Sequence, residues 1–99
     1  MNLKEVRNKI DSLDIQITDL LHKRMEYALM AMEYKNSVCD PAREEAIHRN
    51  VLSRTSTLLD ANFIKELYGL IIEKSKQLQE SKLQDRKQEK SRKNIEVPE

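Results

Sequence analysis

Apolar residues at Leu3, Val6, Ile10, Leu13, Ile17 and Leu20 alternate steps of three and four, the seam of a helix that packs against other helices. The same alternation continues through Arg24, Tyr27, Ala31 and Tyr34, so the spacing predicts one helix from about Asn2 to Asn36 with a single basic residue set into its seam. At a rise of ~1.5 Å per residue that helix would be on the order of 50 Å long. A compact globule of this chain length has a radius of gyration of roughly 12 Å and is about 30 Å across. Much of the seam would therefore overhang, and the feature predicts a dimer or higher assembly in which a second chain covers it.

The 99 residues leave room for one small domain with a modest core. One Gly, two Pro and few aromatics, against an abundance of Leu, Ile, Met, Glu, Lys and Gln, predict an all-α chain. A net charge of +1 supplies no global field to gather nucleic acid or an acidic membrane, so any anion chemistry must come from the local placement of basic side chains. The lone Cys39 has no intrachain disulfide partner, and Met1 to Leu20 carries acids and bases throughout instead of an apolar signal core. No stretch approaches the roughly 18 apolar residues of a membrane span. A cytoplasmic protein is expected. No internal repeat, Gly-rich phosphate loop, zinc-ligand spacing or nucleophile elbow occurs, which sets aside the enzyme classes built on them.

After a break at Ser37 to Cys39, Asp40-Pro41 reads as an N-cap followed by an N1 proline that opens a second helix. Its inward face would include Ile47, Val51 and Leu58, ending near Thr55 to Leu59. Asp60 can cap a third helix with a stripe of Ile64, Leu67, Tyr68, Ile71, Ser75 and Leu78. From about Gln84 the apolar periodicity lapses. Residues 1–84 are read as the helical domain and 85–99 as a polar, charged tail, frayed and disordered.

Polar residues interrupt each of these stripes. Arg24 and Lys35 are eleven residues apart, three helical turns, and would share one face about 16 Å apart. Glu44 precedes Ile47 by three and Val51 by seven, which puts a carboxylate on the buried side of the second helix beside Arg43. Ser75 and Gln79 bring a hydroxyl and an amide one turn apart on the third. Each alone has a plainer reading: a snorkelling Arg, an exposed Lys, a structural ion pair, satisfied core polar groups. Together they describe a polar pocket inside a helical bundle. Arg7, seventeen residues before Arg24 and about 25 Å away along the same helix, could reach such a pocket only from a second chain running antiparallel.

Arg7 within Val6-Arg7-Asn8-Lys9-Ile10, Arg24, Lys35, the run Asp40-Pro41-Ala42-Arg43-Glu44-Glu45, and Ser75 and Gln79 after Ile71-Ile72-Glu73-Lys74 together resemble the all-helical chorismate mutases, over about Leu3 to Leu83. The resemblance implies a three-helix protomer with a long first helix and an intertwined homodimer. Two active sites would each be buried in one protomer and completed by Arg7 of the other. By the same resemblance Arg7 and Arg24 would grip the two carboxylates of chorismate with help from Ser75. Lys35 and Gln79 would donate to the ether oxygen of the breaking bond. Glu44 and the backbone near Asp40 would hold the ring hydroxyl, and Arg43 would order those acids. No cofactor, metal or covalent intermediate is implied. The link from Lys35 to Asp40 is shorter than in some members, which implies a different path for the loop over the pocket. The chain length implies the free-standing form, without a fused dehydratase or dehydrogenase domain.

The physical demands of the reaction agree with such a set. A Claisen rearrangement needs no nucleophile or proton transfer, only a folded enolpyruvyl arm and stabilisation of charge growing on the ether oxygen. Two arginines suit two carboxylates through planar bidentate pairing. Three other readings remain beside this one. An isochorismate pyruvate-lyase of the same fold is suggested by Arg24-Met25-Glu26-Tyr27 and opposed by Glu44. A mutase acting on the amino analogue of chorismate would differ in one hydrogen-bonded substituent. A non-enzymatic helical dimerisation or adaptor module would make the polar set a coincidence.

Overall fold

Asn2 begins the first helix: its side-chain Oδ1 accepts from the Glu5 backbone N–H at 2.9 Å, and Glu5 complements the positive helix terminus. The computed structural model describes residues 1–95, with side-chain burial through residue 89; residues 96–99 of the expected tail lie outside the described residues. Among the described residues there are three helices, α1 (Leu3–Ala31), α2 (Pro41–Leu52) and α3 (Ala61–Ile95), and no strand. The all-α expectation therefore holds. No helix among these residues is long and apolar enough to cross a membrane.

The first helix stops at Ala31, short of the expected Asn36. Three donors on α3 meet the carbonyls at that end. Gln79 Nε2, Lys82 Nζ and Arg86 Nη1 donate to the carbonyls of Ala28, Leu29 and Met32 at 2.7, 3.0 and 2.7 Å. The N–H groups of Met32, Glu33 and Tyr34 bond to the carbonyls of Leu29, Met30 and Ala31, three residues back, and the α-helical ladder ends. Met32 becomes the most deeply enclosed side chain, 1% exposed.

Asp40 caps α2 as the Asp-Pro pair predicts, its Oδ1 accepting from the Arg43 N–H at 3.2 Å with Pro41 in the first turn. The helix ends at Leu52, earlier than the expected Thr55 to Leu59, because hydroxyls take its last carbonyls: Ser53 Oγ donates to Asn50 O and Thr55 Oγ1 to Leu52 O. Leu58 consequently falls in the linker, where it is 93% exposed, and is no part of the inward face. Ser56 Oγ accepts from the N–H groups of Leu58 and Leu59, closing that linker, and Asp60 Oδ1 accepts from Phe63 N at 2.8 Å to start α3.

The third helix packs against both others and carries most of the core: Ile64, Ile71, Ile72, Ser75 and Gln79 are buried. Its inward stripe is turned slightly from the expected one, taking in Ile72 beside the expected Ile71, Ser75 and Gln79 and leaving Leu67 exposed at the margin. Its backbone stays helical to Ile95, past the lapse of apolar periodicity near Gln84, and Arg86 in that stretch is half-buried against Met32.

No residue of α1 is buried. Its seam, from Val6 (40% exposed) to Leu20 (64%), lies open along its N-terminal two thirds. The radius of gyration is 19.3 Å and the molecule measures 74 × 32 × 17 Å, against the ~12 Å radius expected for a compact chain of this length.

Candidate active site

A cavity of about 260 Å³ opens where the C-terminal third of α1, the loop after it, the first turns of α2 and the middle of α3 converge. Burial of Ile72 and the partial burial of Ala28, Ala31 and Ile47 make its apolar wall. Seven of the eight residues singled out from the sequence border it: Arg24, Lys35, Asp40, Arg43, Glu44, Ser75 and Gln79. The eighth, Arg7, does not; it stands exposed near the far end of α1.

Arg24 enters from the seam of α1 at the point where α3 takes over as its neighbour. Its Nη1 donates to Ser75 Oγ at 2.8 Å, and the Ser75 hydroxyl in turn donates to Ile71 O one turn back at 2.9 Å, with Met25 Sδ at 3.4 Å. The hydroxyl is thus held as an acceptor toward the guanidinium. Gln79, 6% exposed, is fixed by its bond to Ala28 O. A primary amide has two N–H donors. One is spent on Ala28, so the other is available on a side chain that has already lost its rotational freedom.

Lys35 reaches the cavity by a route different from the one its spacing suggested. It lies beyond the end of α1, in the loop, where its Nζ donates to Val38 O at 3.2 Å. The helical three-turn relationship to Arg24 is therefore absent, yet the ammonium still lines the same wall. Asp40 borders the cavity as the exposed cap of α2, and Arg43 and Glu44 follow in its first turn.

Two polar lining residues are not singled out as site residues by the sequence. Tyr27 was visible only as a member of the seam and is exposed on its rim. Lys76 Nζ stands 3.4 Å from Glu44 Oε1, bridging α3 to α2. The signal for Lys76 was its position three residues before Gln79, close to it around the helix. Counting the lining side chains, four cations (Arg24, Lys35, Arg43, Lys76) face two acids (Asp40, Glu44), an excess of two positive charges in a partly enclosed space. Such a site is suited to a small dianion, with hydrogen-bond donors at several fixed points around it.

Comparison with known proteins gives one family. The family model described as chorismate mutase type II matches residues 6–80. The chain is 37% identical over 87 residues to the bifunctional chorismate mutase/prephenate dehydratases of Escherichia coli K12, Escherichia coli O157:H7 and Shigella flexneri. The alignment covers 83% of this chain and 22% of each relative, so the chain spans about a fifth of their length. No solved structure matches it.

Proposed function

Because the chain belongs to the chorismate mutase type II family, a family of isomerases, we propose that it converts chorismate to prephenate in aromatic amino-acid biosynthesis, in the cavity bordered by Arg24, Lys35, Glu44 and Gln79. The observation that carries this reading is the convergence of seven family-type polar residues from three helices and a loop on one small cavity with two positive charges in excess.

In this reaction the ether C–O bond breaks as a new C–C bond forms, in one concerted step without proton transfer. The protein must fold the enolpyruvyl arm over the ring and stabilise negative charge on the departing oxygen. Arg24, oriented by Ser75, holds one carboxylate. Arg7 from a second copy holds the other. The free N–H of Gln79 and the Lys35 ammonium donate to the ether oxygen, where charge grows only as the bond opens, so their contribution is larger in the transition state than in the ground state. Glu44 and the backbone at Asp40 receive the ring hydroxyl, with Arg43 beside them. The chemistry draws on no cofactor or metal.

The same proposal includes an intertwined homodimer. The open seam of α1, with Leu3, Val6, Ile10, Leu13, Ile17 and Leu20 each at least 40% exposed, is a helix-length apolar stripe, and burial of such surface drives association. An antiparallel second α1 laid on it would bring Arg7 to the cavity of the first copy, giving two composite sites related by a two-fold axis. The unpaired, exposed Cys39 suits a reducing, cytoplasmic setting.

The test is an assay of the purified protein with chorismate and, in parallel, isochorismate, with products separated by chromatography. Prephenate from chorismate is expected. Pyruvate and salicylate from isochorismate alone would replace this reading with the lyase, and inertness toward both would return the chain to the amino-analogue or adaptor readings.

A further inference from the structure

Lys76 is the charged cavity residue to which none of the roles above has been given. It lies on α3 about 60° around the helix from Gln79, on the side away from Ser75, and so faces α2 while Ser75 and Gln79 face α1. Among the described residues it is the side chain that donates to the Glu44 carboxylate, at 3.4 Å, and the two side chains are 34% and 27% exposed.

We propose that Lys76 is a positioning residue of this site: its ammonium holds the Glu44 carboxylate toward the cavity as the acceptor for the ring hydroxyl of the substrate, a role that rests on the chorismate reading above. A glutamate has three side-chain torsions, and at the solvent-facing edge of α2 an unpartnered one would spend much of its time turned toward water. The other cations have different engagements. Arg24 is bonded to Ser75, and Lys35 to the Val38 carbonyl. Arg43 is adjacent to Glu44 on one helix, and neighbours at that spacing do not face each other. Lys76 approaches from a different helix and selects the carboxylate rotamer that points inward.

Charge balance gives the pair a second effect. A bare carboxylate repels a dianionic substrate, and removing Lys76 halves the excess positive charge of the lining from two to one. The ring hydroxyl takes no part in the bonds that break and form. Its contact with Glu44 is therefore made about equally in ground and transition states, and losing it raises KM while leaving kcat nearly unchanged. Partly exposed pairs of this kind contribute little to folding stability, so the effect on function can be read without loss of the fold.

The experiment compares Lys76→Met, Lys76→Gln and Lys76→Arg, each in the native background and in Glu44→Gln, by steady-state kinetics with chorismate and by thermal melting. In the native background KM should rise about tenfold for Met and Gln with kcat within about twofold, and Arg should restore KM to within about threefold. In the Glu44→Gln background the same substitutions should raise KM by no more than about threefold, because the positioning contact is already gone and only the change in lining charge remains. An unchanged KM in the native background, or an equal penalty in both, overturns the role. Absence of prephenate with the native protein instead overturns the reading of the site itself, and the two failures are separable because the native assay comes first.

Discussion

The Arg24 guanidinium donates to Ser75 Oγ at 2.8 Å, joining α1 to α3 across 51 residues of sequence at the wall of the cavity. The hydroxyl's own hydrogen is committed to Ile71 O, which leaves its lone pairs to the arginine. Ser75→Ala should lower kcat/KM for chorismate about tenfold, consistent with losing one hydrogen bond to a charged group at ~1.5–3 kcal/mol in part. Alanine suits a helix interior, and the melting temperature should fall little. Steady-state kinetics alongside thermal melting separates the two effects.

Gln79 combines an anchor and a free donor. Gln79→Ala should reduce kcat by about 10²–10³, the range for losing one preorganised donor to a developing oxyanion. It should also lower stability, because Ala28 O loses its side-chain partner at the end of α1. A matched loss of kcat and kcat/KM would place the interaction in the transition state; a change in KM alone would remove Gln79 from the reacting oxygen.

Much of this architecture is legible before any coordinates are known. The seam of α1, the Asp40-Pro41 start of α2 and the Asp60 start of α3 are written in local periodicity and caps, and the structure reproduces all three. Both α1 and α2 end earlier than the periodicity predicts, and at each end side-chain donors outside the periodic pattern meet the last carbonyls. Gln79, Lys82 and Arg86 take carbonyls at the end of α1 from 51, 53 and 54 residues further along the chain. For Lys35 the placement beside the cavity was right and the geometry was not, since a loop bond to Val38 O replaces the helical spacing. Lys76 was missed because its significance depends on Glu44, a contact between helices that periodicity within α3 does not encode.

Arg86 lies in the segment read from sequence as tail, yet its Nη1 donates to Met32 O at 2.7 Å. Arg86→Ala should therefore cost about 1 kcal/mol or more in urea denaturation, the value of a hydrogen bond from a charged donor at a partly buried site. Turnover at saturating chorismate should stay within about twofold, because Arg86 does not border the cavity. An unchanged denaturation midpoint would return this stretch to the role of a passive tail.

Gly69 sits inside α3, and a Cβ built there meets nothing within 4 Å. Gly69→Ala should stabilise the protein by roughly 0.5–1 kcal/mol by removing backbone freedom from the unfolded chain without a clash. A raised denaturation midpoint with unchanged kinetics is the expected result. Destabilisation would reveal a close approach to this face in the assembled protein.

Arg7 and Arg24 are too far apart on one helix to serve one small substrate, so a site that uses both needs two chains. The measurement that tests this most directly is activity after Arg7→Ala and Arg24→Ala chains are unfolded together, refolded and assayed with chorismate. Each variant alone should be inactive. The mixture should recover up to about a quarter of native activity, since half of the dimers are mixed and one of the two sites in each holds both arginines. Mixed dimers demonstrated by mass spectrometry without any return of prephenate formation would contradict the shared site.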